Sequence, residues 1–198
     1  MRIAMIGAGN IGSTLARLLT QAGHEVVVAN ARGPETLTGL VAELGERASA
    51  RRADEAAKLG DVVIVAVPFP AHRDLPVSSL AGKIVVDANN DWSGGATTTS
   101  SSERFAAFLA GATVVKAFNS IHYAHLAEQG TPAGSPGRRA IPIAGDDAAA
   151  KATVTRLLDD VGFDVYDVGP LSSGRLIEPG SPVFNVGLTR DEVAAALA

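Results

Sequence analysis

The sequence predicts an α/β fold, a doubly wound and mostly parallel sheet in a single domain with a small C-terminal extension, and three observations carry that expectation. Short β-branched runs alternate with helix-period patterns along the chain, which is how strand–helix–strand crossovers read. The run DVVIVAV at 61–67 is almost wholly apolar, as a strand covered on both faces must be. The length of 198 residues, 46% of them hydrophobic and 19% charged, suffices for one well-buried core and is short for two.

The first strand spans 2–6. A helix follows over 10–22, where Ile11, Leu15, Leu18 and Ala22 repeat on one face. Gly23 stops it, and EVVVA at 25–29 is the second strand. Pro34, a favoured first-turn residue, opens a helix that ends near Gly45. A weaker strand at 48–51 and a short helix from Asp54 lead to the strand at 61–67, ended by Pro68 and Pro70. The fifth strand is 83–88. Past a polar run at 97–102, Ser100 and Glu103 have capping-box spacing for a helix to Leu109.

A strand at 113–117 and a short helix around 122–128 precede the loop-like GTPAGSPGRR of 130–139. Next come a strand at 139–144, a helix over 146–161 with Val154, Leu157, Leu158 and Val161 inward, and a strand at 163–168. Thr189 and Glu192 repeat the capping-box spacing and start a last helix within the 183–198 tail.

Net charge is −4, with no block of like charge, so no basic face for nucleic acid or anionic lipid is expected. Cysteine is absent, which excludes disulfides, thiolate metal sites and cysteine nucleophiles. MRIAMI lacks the basic region and cleavage site of a signal peptide, and the longest apolar stretch, 62–69, is far too short for a membrane helix. A cytoplasmic location is expected.

The sharpest motif is Gly7-Ala8-Gly9-Asn10-Ile11-Gly12, between the first strand and the first helix. Gly7 permits a tight turn, Gly9 the close approach of a pyrophosphate, and Gly12 close packing of helix on strand. The helix N-terminus then offers free N–H groups to phosphate. A strand before and a helix after is the context that a dinucleotide-binding, Rossmann-type unit requires.

The end of the second strand selects the dinucleotide. A carboxylate there, about 20 residues past the motif, binds the ribose 2′-hydroxyl of NAD. This chain has Asn30-Ala31-Arg32. Asn30 can donate a hydrogen bond to a 2′-phosphate and Arg32 can pair with the dianion, with Gly33 and Thr36 close by. NADP(H) is therefore the expected cofactor, against a reading of Arg32 as a solvated loop residue.

Seven segments, MRIAMIGAGNIGSTLARLL, VVVANARGPETL, AVPF, VVDANND, VVKAFNSI, RRAIPIAGDDAAAK and GFDVYDVGPL, occur in order. In them the chain resembles the coenzyme F420-dependent NADP oxidoreductases. The resemblance implies a lone Rossmann domain that passes hydride between NADP(H) and the deazaflavin F420, its co-substrate. It implies that Gly7, Gly9, Asn10, Ile11 and Gly12 hold the pyrophosphate, and Asn30 and Arg32 the 2′-phosphate. Val67, Pro68 and Phe69 would line the nicotinamide ribose, and Ala117, Phe118 and Asn119 the nicotinamide side of the cleft. The loop NNDWSGG at 89–95 resembles a bacterial subgroup, and the residues after Pro182 match nothing in the family.

Hydride transfer between two rings needs close stacking and exclusion of water, with no obligatory protein acid or base. The lack of a triad or carboxylate pair is then no objection. Asn119 follows a strand at the carboxyl edge, where such sheets bind ligands. His122 reads as a proton donor beside the nicotinamide or as a helix-start histidine. These two are the candidate catalytic residues. His122 and His125, at i and i+3, have no third ligand at metal-site spacing, so no metal is expected. Lys116 reads as a cation steering an anionic acceptor or as a strand-end lysine reaching water. Trp92 and Phe69 are candidate stacking surfaces for a planar ring.

Arg138 and Arg139 either attract the acidic tail of F420 or form an exposed loop pair. The expected partner is a small-molecule redox acceptor. A homodimer is expected as well, in which the 183–198 tail shields the neighbour's hydride site. Two alternatives stay open: another planar acceptor (flavin, quinone or metal chelate), or a redox sensor that binds NADP(H) without turnover.

Overall fold

A computed structural model describes residues 1–93 and 98–198. The described strands are β1 (Arg2–Ile6), β2 (Glu25–Ala29), β3 (Ala48–Ala50), β4 (Val62–Val65), β5 (Ile84–Asp87), β6 (Thr113–Lys116), β7 (Ala140–Gly145) and β8 (Asp164–Asp167). They form one sheet in the order β3-β2-β1-β4-β5-β6-β7-β8. The first six in that order run parallel; β7 is antiparallel to β6, and β8 parallel to β7. The helices are α1 (Asn10–Gln21), α2 (Thr38–Leu44), α3 (Ala53–Leu59), α4 (Val77–Leu80), α5 (Ser101–Phe108), α6 (Tyr123–Glu128), α7 (Ala148–Asp160) and α8 (Arg190–Leu197). This is the mostly parallel α/β sheet that the sequence predicts, and among the described residues no helix is long and apolar enough to cross a membrane.

Strand side chains alternate between faces, so each central strand feeds two cores. Ile3 and Met5 of β1 join Val26, Val28, Val62 and Ile64, together with Leu15 and Leu19 of α1. Ala4 and Ile6 join Val27, Val63 and Val65, with Ala56 and Ala57 of α3 and Phe105 of α5 on the opposite face. Burial on both faces explains why residues 62–65 of β4 carry no polar side chain. Val154, Leu157 and Leu158 of α7 are buried in the α1 layer, as their spacing predicts. A third cluster packs Ile177, Val183 and Val193 against Ala140 and Ala144 of β7, which brings the C-terminal stretch back onto the sheet.

Three differences from the sequence expectations bear on the crevice. The segment opened by Pro34 is a 3₁₀ turn, Pro34–Leu37, ahead of α2. Both the N–H and the hydroxyl of Thr36 donate to the Gly33 carbonyl, at 3.2 and 2.8 Å, and such i+3 bonding tightens the first turn. β4 stops at Val65, short of the apolar run's end, because the Val67 N–H leaves the ladder for Asn89 Oδ1 at 2.9 Å. The stretch after β8, which has no periodic pattern, contains another 3₁₀ turn at Leu171–Ile177. Both capping boxes form: Ser100 with Glu103 at α5, and Thr189 with Glu192 at α8.

β1 lies between β2 and β4, so the crossovers on its two sides depart in opposite directions. A crevice opens outside the carboxyl ends of the strands at that point.

Candidate functional site

The glycine loop occupies one side of the crevice, and its three glycines differ in what surrounds them. Gly7 has φ +106°, and a Cβ there would lie 2.2 Å from the Ala66 carbonyl oxygen. A Cβ on Gly12 would lie 1.9 Å from the Gly7 carbonyl oxygen. Both positions are closed by the protein itself. A Cβ on Gly9 would meet nothing within 4 Å. Gly9 is also the N-cap of α1, with no side-chain cap and no acidic residue in the first turn. The N–H groups and positive dipole end of this helix are therefore available to an anion.

At the end of β2, Asn30 braces a tight turn. Its Nδ2 donates to Thr36 Oγ1 at 2.9 Å, and its Oδ1 accepts from the Arg32 N–H at 3.0 Å. One Asn30 N–H remains for a ligand. Arg32 is exposed, and its guanidinium has no hydrogen bond or ion pair among the described residues. No carboxylate stands at the strand end, although the Glu35 side chain lies against Gly33, 2.4 Å from where a Cβ would be.

Two adjoining cavities run along the crevice and share Gly9, Ala66, Val67 and Pro68 in their walls. The smaller, ≈ 270 Å³, reaches Gly7, Asn30 and Ala31. The larger, ≈ 720 Å³, is lined by Gly9, Asn10, Ile11, Phe69, Asn89, Asn90, Trp92, Phe118, Asn119, His122, Tyr123, Phe184 and Asn185, among others. Phe118 (φ 62°) and Asn185 (φ 58°) are the two non-glycine residues with positive φ among the described residues, and both line this cleft. A buried phenylalanine in the left-handed region is a backbone outlier of the kind that clusters at functional sites. An even larger depression, ≈ 940 Å³, lies by the amino ends of β2 and β3. Its Arg2 and Arg17 are already paired with Glu25 and Glu43, and it carries none of the crevice's chemistry.

The sequence-predicted residues separate into those that reach the cleft and those that support it. Gly9, Asn10, Ile11, Val67, Pro68, Phe69, Asn119 and His122 line it. Gly12 packs beneath the loop, and Ala117 is fully buried outside the cleft wall. Phe69 is 8% exposed, with the Arg104 guanidinium 5.1 Å over its ring and His72 at 4.9 Å, so its face is largely taken. Trp92 is 71% exposed, edge-on to Phe184 at 5.8 Å. His122 caps α6, its Nδ1 accepting from the Ala124 N–H, and its ring stands 5.9 Å from His125. No group of three His, Cys, Asp or Glu that could hold a metal occurs among the described residues. Residues 94–97, which include the end of the NNDWSGG loop and the first residue of the polar run, lie outside the described residues.

Lys116 overturns both of its sequence readings. It is fully buried and neither steers a ligand nor reaches water. Its Nζ contacts Asp87 Oδ2 at 3.5 Å, the Asn89 carbonyl at 3.3 Å and Ser101 Oγ at 3.1 Å. Asp87, itself fully buried, also accepts from Ser102 Oγ at 2.5 Å and the Asn89 N–H at 3.0 Å. The pair ties the ends of β5 and β6 together directly behind the cleft wall.

Arg138 and Arg139 are likewise buried, not an exposed pair and not an anion trap. Arg138 Nη1 lies 2.7 Å from both Asp159 and Asp164, and Arg139 donates to Gln129 Oε1 and the Val186 carbonyl. Burial opposes the charge of Arg138, yet its two aspartates outweigh that and hold its pKa above the ordinary arginine value; burial alone pushes Arg139 down.

Sequence reasoning missed Asn89, Asn90, Asp87, Phe184 and Asn185. The first three sit in VVDANND, where polar residues directly follow an apolar strand at the ligand-binding edge, and that position is the signal that marks them. Phe184 and Asn185 carry no comparable signal. Asp91, in the same run, accepts from the Ser93 N–H at 2.9 Å and from Arg104 Nη2 at 2.6 Å. The Ser93 amide and hydroxyl, then Arg104, hold its carboxyl below the usual carboxylate range.

Residues 2–91 match the family model described as NADP oxidoreductase, coenzyme F420-dependent. The crystal structure of the protein SMa0349 from Sinorhizobium meliloti is similar at TM-score 0.83 and 34% identity, over 96% of this chain and 95% of that one. A protein of Arthrobacter sp. FB24, provisionally named an F420-dependent NADP-reductase, is similar at TM-score 0.76 and 30% identity, over 88% and 87% of the two chains. Rat (Rattus norvegicus) metalloreductase STEAP3 is 35% identical over 182 residues, which are 89% of this chain but 36% of that protein's length. Likeness over nearly the whole length of a named reductase, joined to the match across the glycine loop and β1–β5, makes this chain a member of the coenzyme F420-dependent NADP oxidoreductase family.

Proposed function

We propose that this oxidoreductase passes hydride between NADP(H) and the deazaflavin F420 in the cleft at the carboxyl ends of β4, β5 and β6. The observation that carries the reading is the pair of joined cavities. They run from Asn30 past an open Gly9 and an uncapped helix N-terminus to the wall formed by Asn89 and Asn119. The residues fit a 2′-phosphorylated dinucleotide: a free cation at Arg32, no carboxylate at the end of β2, and a bare Cα where the pyrophosphate would approach.

When bound, NADPH supplies a hydride from its nicotinamide ring, and F420 takes that hydride with one proton from water. The chain binds, orients and shields. Arg32 pairs with the 2′-phosphate while Asn30 braces the turn that presents it. Gly9, Asn10 and Ile11 hold the pyrophosphate, and Val67, Pro68 and Phe118 wall the inner cleft against water. Trp92, exposed at the mouth, offers a face to the acceptor ring. His122 at the rim keeps Nε2 free to exchange a proton with the acceptor.

The test mixes the purified protein with NADPH and oxidised F420 and follows absorbance, with flavin, quinone and ferric chelate in parallel. Turnover with F420 alone supports the assignment; tight NADPH binding with no F420 turnover overturns the acceptor. A second reading keeps NADPH and substitutes a flavin or chelated metal, and the similarity to a metalloreductase favours it. Turnover in the flavin or chelate wells alone is its expected result.

A further inference from the structure

We propose that Asn185 reads the polar edge of the acceptor, and that the acceptor is a planar ring carrying a carbonyl beside an N–H, as on the edge of a pyrimidinedione. The inference rests on the cleft being the hydride-transfer site, and it narrows what the mouth of that cleft accepts. Asn185 lines the cleft and is exposed there. Its side-chain amide makes no hydrogen bond among the described residues. Asn89, Asn90 and Asn119, in the same walls, each bond within the protein, and Asp91 is paired with Arg104. A mostly apolar pocket takes its specificity from the few polar groups it leaves open to the ligand.

The backbone on either side holds that amide in place. Val183 is buried in the third hydrophobic cluster, and the Val186 carbonyl accepts from the buried Arg139 at 3.0 Å. Between these anchors Phe184 and Asn185 line the cleft. The Asn185 N–H donates to the Ser120 carbonyl at 2.9 Å, and its φ of 58° lies in the left-handed region. Asparagine visits that region more readily than most residues with a side chain, but glycine occupies it at no steric cost. Glycine would meet the conformational demand alone; asparagine adds an amide whose position is set before any ligand arrives. Phe184, its neighbour, stands edge-on to Trp92 at 5.8 Å, so the amide adjoins the aromatic pair at the mouth.

A side-chain amide offers an acceptor and a donor in one plane. The pyrimidinedione edge answers both: its imide N–H donates to Asn185 Oδ1, and an adjacent ring carbonyl accepts from Nδ2. Deazaflavins and flavins share that edge. A simple quinone offers carbonyls alone and ferric citrate offers carboxylates, so neither satisfies the whole amide. Asn185 lies outside residues 2–91, the part of the chain that matches the family model, so the family likeness does not assign it.

The test reads binding and needs no turnover. The protein saturated with NADP⁺ is titrated with 5-deazariboflavin, with riboflavin and with the imide N-methyl derivative of each, following the quenching of ring fluorescence. A ring that binds is expected to do so about tenfold more tightly than its N-methyl derivative, which lacks the N–H. In Asn185→Gly that ratio should fall towards one while NADP⁺ binds as before, which also shows that the variant is folded. Binding of neither ring, equal binding of ring and derivative by the unmodified protein, or a ratio that survives in Asn185→Gly each overturns the inference. Binding of riboflavin without 5-deazariboflavin, with the ratio as expected, upholds the inference and overturns F420 as the acceptor. Failure of NADP⁺ to bind overturns the cofactor reading itself, and the inference with it.

Discussion

Replacing Gly9 and Gly12 with alanine separately divides binding from folding within one short loop. At Gly9 the backbone (φ −77°, ψ −165°) already suits any residue, and the new Cβ would meet nothing within 4 Å. Two small terms then oppose. An N-cap favours glycine over alanine by a few tenths to about 1 kcal/mol, while the stiffer unfolded chain returns about 0.4–1 kcal/mol. Stability should stay within about 1 kcal/mol, or ~2–4 °C in Tm for a chain of this size. The Cβ would nevertheless stand where the pyrophosphate approaches, so NADPH affinity should fall by at least ~10-fold. At Gly12 the Cβ would lie 1.9 Å from the Gly7 carbonyl. Helix and loop must part, with an overpacking cost of about 1–3 kcal/mol or more, read as a Tm lower by roughly 2–12 °C. Thermal melts and fluorescence titration of NADPH measure both quantities. Gly9→Ala binding NADPH as the parent does would refute the placement of the pyrophosphate on this loop.

Other consequences follow from single contacts. Arg32→Ala should lose about 1.5–3 kcal/mol of NADPH affinity, roughly 10- to 150-fold, as for a charged hydrogen bond. NADH should be unaffected and the gap should narrow in high salt; equal loss for both dinucleotides would show that Arg32 does not read the 2′-phosphate. Lys116→Met leaves Asp87 buried without its cation and should cost about 3–5 kcal/mol, a Tm fall of roughly 6–20 °C. Adding Asp87→Asn should recover much of that, and a double variant no better than the single would argue against the ion pair. The Asp91 carboxyl titrates below its unfolded value, so its stabilisation is full above the ordinary range near ~3.9 and lost as pH falls through the lowered value. The Tm difference between the parent and Asp91→Asn should therefore be flat from about pH 5 to 8 and shrink below about pH 4; a decline within the neutral range would contradict the assignment.

The parts of this fold that are legible in sequence are those whose determinants lie close together along the chain. β1, the glycine loop and α1 occupy 20 consecutive residues, Arg2 to Gln21, and every rule that identifies them is local: an apolar strand, a turn that needs glycine, an amphipathic helix. The two capping boxes span four residues each and form as their spacing predicts. Where local rules fail, a longer contact has decided the matter. The apolar run at 61–67 reads as strand throughout, yet Asn89, 22 residues on, takes the Val67 N–H away from the sheet. The helix opened by Pro34 splits because Gly33, at φ +101°, turns its carbonyl to Thr36.

The same distinction separates the two ends of the candidate site. Asn30 and Arg32 can be placed from their distance past the glycine motif alone. Lys116 cannot, because its environment comes from Asp87, 29 residues earlier, and Ser101, 15 earlier. A lysine at a strand end looks solvated until those partners are known. Gly174 completes the enclosure: a Cβ there would lie 3.2 Å from Lys116 Cδ, so the C-terminal segment packs tightly over the lysine stem. That segment also orients Asn119 through the Ile177 carbonyl and engages Ser101 through Glu178 Oε1 at 2.6 Å. Its contacts to the site are thus mostly polar and long-range, which leaves no hydrophobic period in the sequence to announce them. Buried polar residues near a strand's carboxyl end are better read as parts of a network whose members must be found together than as separate ligand contacts.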